Sequence, residues 1–402
     1  MLSDFTQIDL TQLPSPCFVV DQWAVEQNLK VLADVQARSG AKILHALKAF
    51  SMFELSPLTN QYLSGTCSSG LHEARLAKEF YQSEEPGNGE IHVFAAGFTQ
   101  SDLSELLKFA DHIVFNSPSQ IERFGAMCLE AQKIRADLQF GLRINPEHSE
   151  GSQAIYNPCA PGSRLGCTRA HLDTFLTDSE FSELFGELIS GLHFHTLCEQ
   201  GFGPLDRTID AVFSKFGDLL TDLEWVNFGG GHHITASDYD REALIARIIA
   251  LREQTGLQIY LEPGEAVAIG TGVLMTEVLD LSFNQLPQAI LDSSATCHMP
   301  DTLEMPYRAE ILGAGVPDEK AHTYRLGGLT CLAGDVMGDY SFDEPLKIGD
   351  RIMFSDMSHY TMVKTSTFNG TLLPALALWN SESGELKVVR QFGYEDFKTR
   401  LS

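Results

Sequence analysis

The chain has 402 residues, 44% of them hydrophobic, which is material for two domains with cores of their own. It sets 28 Lys plus Arg against 54 Asp plus Glu, a formal charge of -26. That balance excludes nucleic acid as a partner, because phosphate binding needs a basic face, and leaves plain solubility or a cationic small substrate.

In chain order, Met1 to Thr6 lack the basic and apolar regions of a signal peptide, so a cytoplasmic protein is expected. Pro16 to Asp21 is strand-like. Eight short apolar runs follow: Ile43–Lys48, Gly65–Gly70, Ile91–Ala96, His112–Ser117, Leu138–Asn145, Ile189–Thr196, Trp225–Gly231 and Gln258–Gly264. The second of them is polar for a central strand. The segments between carry helical spacing, as in Leu71 to Ala77 and Leu205 to Leu220. Eight strand–helix units in about 225 residues predict a TIM-like (β/α)8 barrel over residues 22–272. The stretch from Pro146 to Arg164, with Pro158 and Pro161, reads as an active-site loop. Beyond Gly272, strand-like runs appear without regular helices: Val273–Leu279, Ala289–Leu291, Tyr324–Leu326, Arg351–Phe354, Leu372–Leu378 and Leu386–Val389. They predict a C-terminal all-β domain, 273–402, joined by residues 1–21. No run of roughly 18 apolar residues occurs, so no membrane span is expected. The eight cysteines show no zinc-site spacing and read as free thiols of a reducing compartment.

The ends of the eight runs hold residues able to do chemistry: Lys48, Ser69, Asn116, Arg143, His195, Gly229 to Gly231 and Glu262. A barrel gathers these ends on one face. Lys48 closes the run His45-Ala46-Leu47-Lys48. An amine held among apolar neighbours loses the hydration that favours its charged form and becomes the nucleophile a Schiff base needs. Gly229, Gly230 and Gly231 follow the seventh run, where side-chain-free backbone can approach a phosphate; a tight turn is the plain alternative. His193 and His195 alternate onto one side of the sixth run. They read either as a metal pair or as a core residue, His193, below a ring-stacking residue, His195. Glu262 is either a turn residue or a carboxylate that keeps a pyridine nitrogen protonated. Taken together, lysine, histidine, glycines and glutamate in this order supply the imine, the stacking face, the phosphate cradle and the pyridinium partner of pyridoxal 5'-phosphate.

With these residues, the strings Leu192 to Glu199, Asn227 to His233 and Glu262-Pro263-Gly264-Glu265, and the segments Gly327 to Asp335 and Ser358-His359-Tyr360, the chain resembles the fold-type III pyridoxal-phosphate decarboxylases over nearly its whole length. These include the ornithine, arginine and diaminopimelate decarboxylases, and their barrel is shared with alanine racemase. The resemblance implies decarboxylation at a pyridoxal phosphate held by Lys48 and a homodimer with two shared active sites. It implies that Cys331 crosses the dimer interface to donate a proton and that Tyr360 reaches the phosphate. Two positions depart from the diaminopimelate type. Glu265 stands where that type has an arginine, and the reversed charge rejects a carboxylate and suits an amine. Cys198 replaces a serine that contacts phosphate, and a thiol donates weakly. The implied substrate is a cationic, carboxylated polyamine, with Glu265, Asp301 and Asp335 as candidates for its ammonium groups and Asp292 as a further one; solvated loop acids are the plain alternative for Asp301 and Asp335. Other readings are a diaminopimelate or other basic amino-acid decarboxylase, a metal-dependent hydrolase using His193 and His195, and a non-catalytic regulator on the same scaffold.

Overall fold

The structure, a computed structural model, describes residues 3–82, 89–151 and 157–402. Part of the expected active-site loop, residues 152–156, lies outside the described residues. The chain divides into two compact units, one of residues 28–267 and one of residues 1–27 with 268–402. No helix among the described residues is long and apolar enough to cross a membrane.

The first strand, β1 (Cys17–Asp21), belongs to the sheet of the second unit. The next eight are β2 (Lys42–Ala46), β3 (Gly65–Ser68), β4 (Glu90–Phe94), β5 (His112–Phe115), β6 (Gln139–Arg143), β7 (Ile189–His193), β8 (Trp225–Asn227) and β9 (Gln258–Leu261). They pair in parallel and close into a barrel, with β9 returning to β2 through Lys42 opposite Tyr260. Helices follow the strands because the local sequence starts and stops them. Thr99, Thr168, Asp178 and Asp240 accept hydrogen bonds from the first free N–H groups of their helices, and Gly256, at φ 76, ends Arg241–Thr255. The helix Phe202–Leu220 buries Leu205, Ile209, Val212, Phe216 and Leu220, one stripe at three- and four-residue spacing.

Trp225 fills the barrel interior with Leu44, Val114 and Tyr260. Its indole occupies the space above two glycines. A Cβ on Gly141 would lie 2.4 Å from it, and one on Gly191 2.0 Å. All eight predicted runs become strands, but most strands stop before the runs do. β2 ends at Ala46, β7 at His193, β8 at Asn227 and β9 at Leu261, so Lys48, His195, the glycines and Glu262 stand in the connections beyond. There the N–H groups leave the ladder register: Ala46 donates to the Pro263 carbonyl (2.9 Å) and Leu47 to that of Cys67 (3.1 Å).

The second unit is built on a mixed sheet containing β10 (Gly272–Asn284), β11 (Leu286–Leu291), β12 (His322–Gly327), β13 (Val336–Phe342), β14 (Arg351–Ser355), β15 (Ala375–Trp379) and β16 (Leu386–Arg390). The order is β13-β12-β11-β10-β1-β15-β16, with β14 also on β10. Cys17 and Val19 of β1 enter its core beside Val273, Met275, Ala377 and Trp379. β13 was not predicted, because Gly338 and Asp339 interrupt its apolar pattern; Met337 and Tyr340 are nonetheless buried. Short helices, Ala295–His298, Asp301–Glu304 and Tyr394–Lys398, accompany the sheet.

Two buried histidines make the barrel unit acid-sensitive. Burial holds His45, between the rings of Phe50 and Tyr81, down to about 4, and His232 down to about 3. In the unfolded chain both titrate near 6.5. As pH falls below that value the unfolded chain binds protons that the folded one refuses, so stability drops toward each folded value. Thermal unfolding is therefore expected at a lower temperature at pH 4.5 than at pH 7, and His45→Phe should flatten that dependence. An unfolding temperature level across this range would contradict the neutral, buried state of these rings.

Candidate active site

The connection after β8 is shaped by close backbone approach. Gly229 and Gly231 have φ of +68 and +84, a region that favours glycine. A Cβ on Gly230 would lie 2.2 Å from the Glu262 carbonyl oxygen, and one on Gly231 2.0 Å from that of Leu197. Two of the three glycine N–H groups serve the protein itself, which narrows the expected phosphate cradle. Gly229 N–H donates to Asn227 Oδ1 (2.8 Å) and Gly230 N–H to His195 Nδ1 (3.0 Å). The second bond fixes the His195 tautomer, since Nδ1 must carry the lone pair and the proton sits on Nε2. Burial pushes the His195 imidazole well below its usual range, and the charges of Lys48 and Arg143 act in the same direction. Arg143 lies over the Phe94 ring at 4.5 Å and donates to the His195 carbonyl (3.1 Å).

Glu262 is largely buried and fully held. Asn227 Nδ2 donates to Oε1 (2.7 Å), and His193 Nε2 lies 3.2 Å from Oε2. Burial by itself would raise the carboxyl; His193, His92 and Asn227 outweigh it and keep it down at about 2. Burial lowers His193, which stays a neutral donor. His193 is the buried core residue expected, and its ring in addition bonds Glu262. Sequence alternation placed His193 inward, but its partner stands beyond a different strand, and no local pattern reveals that. The bonds to Glu262 and to Gly230 N–H likewise occupy one nitrogen of each histidine in the metal reading. Elsewhere in the barrel Glu90, His92 and His112 gather, but the two imidazoles stack at 3.9 Å and 18°, and Lys42 pairs with Glu90. Near-parallel rings set their in-plane lone pairs side by side, and these do not converge on one ion.

Lys48 follows buried Leu47 and precedes buried Ala49, yet its own side chain is exposed. The expected apolar enclosure of this amine is thus corrected: the residue lies exposed in the turn beyond β2, while its charge acts on His195, His193 and Cys67. The Cys198 thiol is pushed up to about 11 by burial, with Glu199 and Glu265 adding to the effect, so it remains protonated at neutral pH. Glu265 Oε2 lies 3.1 Å from His233 Nε2. Ser69 and Asn116 serve local structure, the first as donor to Glu73 and the second bonded to Gly166 N–H and the Arg164 carbonyl.

The remaining expected residues belong to the other unit. Cys331 is exposed on the loop between β12 and β13, beside exposed Leu329 and Leu332. Tyr360 has φ of 51. Asp301 pairs with Lys364, which also holds Glu304. Asp335 is buried and accepts from Ser294 Oγ, Thr296 N–H, Thr330 N–H and Thr330 Oγ1; these bonds tie the β12–β13 loop to residues 294–296. Asp292 is similarly engaged by Thr276 Oγ1 (2.7 Å) and Glu277 N–H (2.9 Å).

An ionised carboxylate with an oriented donor on each oxygen, an imidazole face fixed by backbone, side-chain-free turns and one exposed lysine fit the ring, phosphate and aldehyde of pyridoxal phosphate. The comparisons agree. The family model described as "Pyridoxal-dependent decarboxylase, C-terminal sheet domain" matches residues 17–358. The chain is similar to the carboxyaminopropylagmatine decarboxylase of Synechocystis sp., 43% identical over 98% of this chain and 96% of that one. It is similar to the carboxynorspermidine/carboxyspermidine decarboxylase of Campylobacter jejuni, at 40% identity over 97% of this chain and 99% of that one. The crystal structure of the C. jejuni carboxynorspermidine decarboxylase complexed with norspermidine superposes with a TM-score of 0.84 at 39% identity, covering 96% of this chain and 100% of that one. With the barrel, its held carboxylate and these full-length likenesses in agreement, the chain belongs to the pyridoxal-dependent decarboxylases.

Proposed function

We propose that this enzyme decarboxylates a carboxylated, cationic polyamine, carboxynorspermidine or carboxyspermidine, giving norspermidine or spermidine. The observation that carries this reading is Glu265, a carboxylate three residues beyond Glu262 where a carboxylate-binding arginine would suit diaminopimelate. When bound, pyridoxal phosphate supplies an aldehyde that takes up amines and a ring that accepts the electron pair left by departing carbon dioxide. Lys48 holds the cofactor and releases the product through its Nζ. His195, its Nδ1 tied to Gly230 N–H, would offer the ring a stacking face. Glu262 keeps a proton at the pyridine nitrogen. The glycine turn and Tyr360 would serve the phosphate, and the Cys198 thiol would add a weak donor. Glu265 and Asp301 would pair with ammonium groups of the arm, and Cys331 of the partner subunit would return a proton to the substrate carbon.

A second reading, decarboxylation of carboxyaminopropylagmatine, is favoured by the 43% identical relative of that name. Carbon dioxide release from carboxynorspermidine, carboxyspermidine, carboxyaminopropylagmatine, diaminopimelate, ornithine and arginine separates the readings. The first two should give the highest kcat/KM; a higher value for the guanidino compound supports the second reading, and one for diaminopimelate overturns both. Glu265→Gln should lower kcat/KM for carboxynorspermidine by about 10- to 150-fold, the loss of about 1.5–3 kcal/mol from one charge-assisted hydrogen bond. An unchanged specificity constant would remove Glu265 from the substrate site.

A further inference from the structure

We propose that His193 is a positioning residue for this reaction: it holds Glu262 ionised and aimed, and acts only through that carboxylate. The inference rests on the reading of Glu262 as the pyridine partner. β7 and β8 set His193 directly opposite Asn227, and these two neighbours each take one oxygen of the same carboxylate. Asn227 is anchored in turn by Gly229 N–H. His193 is anchored by packing. Its ring is stacked on Phe94 with centroids 5.5 Å apart, and the Arg143 guanidinium lies over Phe94. The imidazole is 1% exposed, and its Nδ1 is buried with no hydrogen-bond partner among the described residues.

Among the described residues Glu262, at Nε2, is the hydrogen-bond partner of this ring. A neutral imidazole so placed puts its single proton on Nε2 and donates it to Oε2. Removing that donor takes the imidazole off Oε2 and leaves the buried carboxylate to Asn227 and the weakly donating Cys67 thiol, with His92 acting from further off. Desolvation then favours the protonated acid, and a neutral acid no longer holds a proton on a pyridine nitrogen. An apolar residue of similar size keeps the packing against Phe94 and loses only this bond.

The test uses the holoenzyme loaded with pyridoxal phosphate labelled with 15N in the ring. His193→Leu is expected to move the ring 15N resonance toward the unprotonated position and to lower kcat by about 10- to 100-fold, one hydrogen bond to a charged group, with little change in KM. His193→Gln, whose amide can donate to Glu262, should recover most of both signals. In a Glu262→Gln background His193→Leu should cost less than about twofold, because coupled residues lose their interaction only once. Should the leucine variant fail to fold, His193→Asn, too short to reach Oε2, takes its place. A His193→Leu enzyme with wild-type resonance and kcat overturns the proposal. So does an undiminished loss in the Glu262→Gln background, which marks a packing role. If Glu262→Gln alone leaves the nitrogen protonated, the reading of Glu262 itself falls, and that outcome is distinct from both.

Discussion

Lys48→Ala should retain no measurable decarboxylation, a loss of at least about 10²- to 10⁴-fold, the range for removing a positioned group that moves protons and more where that group also forms a covalent bond. The expectation follows from the place of the residue. β2 and the turn after it bury Leu47 and Ala49 and leave the Lys48 amine exposed beyond the strand end. Alanine at this position keeps the turn and removes the amine, so the variant should fold with the wild-type unfolding profile. Borohydride reduction of the wild-type holoenzyme, followed by peptide mapping, should fix the cofactor on the peptide holding residue 48. Substantial turnover in the variant, or a label on any other lysine, would overturn the assignment of the whole site.

The second large effect is expected at Glu262. Glutamine there keeps shape and one acceptor but removes the charge proposed to hold a proton on the ring nitrogen. Electrostatic stabilisation by an oriented charged or polar group commonly contributes about 2.7–4 kcal/mol, so kcat should fall about 10²- to 10³-fold. Two of the interactions that keep Glu262 ionised, with His193 and Asn227, lie within the barrel, and its pKa of about 2 leaves it charged across the whole neutral range. The kcat of the wild type should therefore show no acid limb from this carboxyl between pH 5 and 8. A limb there that disappears in Glu262→Gln would show the acid to be weaker than its hydrogen bonds imply.

Much of this arrangement was legible before any coordinates. Short apolar runs located all eight barrel strands, because a strand buried on both faces has little freedom in composition. The candidate site residues stood out for a related reason: a lysine, a paired histidine motif, three glycines and a glutamate at the ends of such runs are chemically out of place. What the sequence did not disclose are pairings across strands. His193 with Glu262, Gly230 N–H with His195 Nδ1 and Asn227 with Gly229 N–H join residues by tertiary approach or turn geometry, and no periodicity encodes them. β13 escaped because a glycine and an aspartate in its middle broke the apolar pattern while its neighbours in the sheet still buried Met337 and Tyr340. The internal bonding of Asp335 was equally hidden, because its five hydrogen bonds come from residues 294–296 and from Thr330, and the first of these segments is distant in sequence.

The indole of Trp225 seated over Gly141 and Gly191 has a consequence for descent. Neither glycine can gain a methyl group while the indole is present, since each Cβ would fall within 2.4 Å of it. Shrinking the tryptophan first opens a void that costs about 3–5 kcal/mol, a large share of a domain's stability. Every single-step mutational route away from the trio thus passes through a damaged intermediate. Three codons on three strands are expected to be inherited as one unit and to trace lineage while the surrounding barrel drifts.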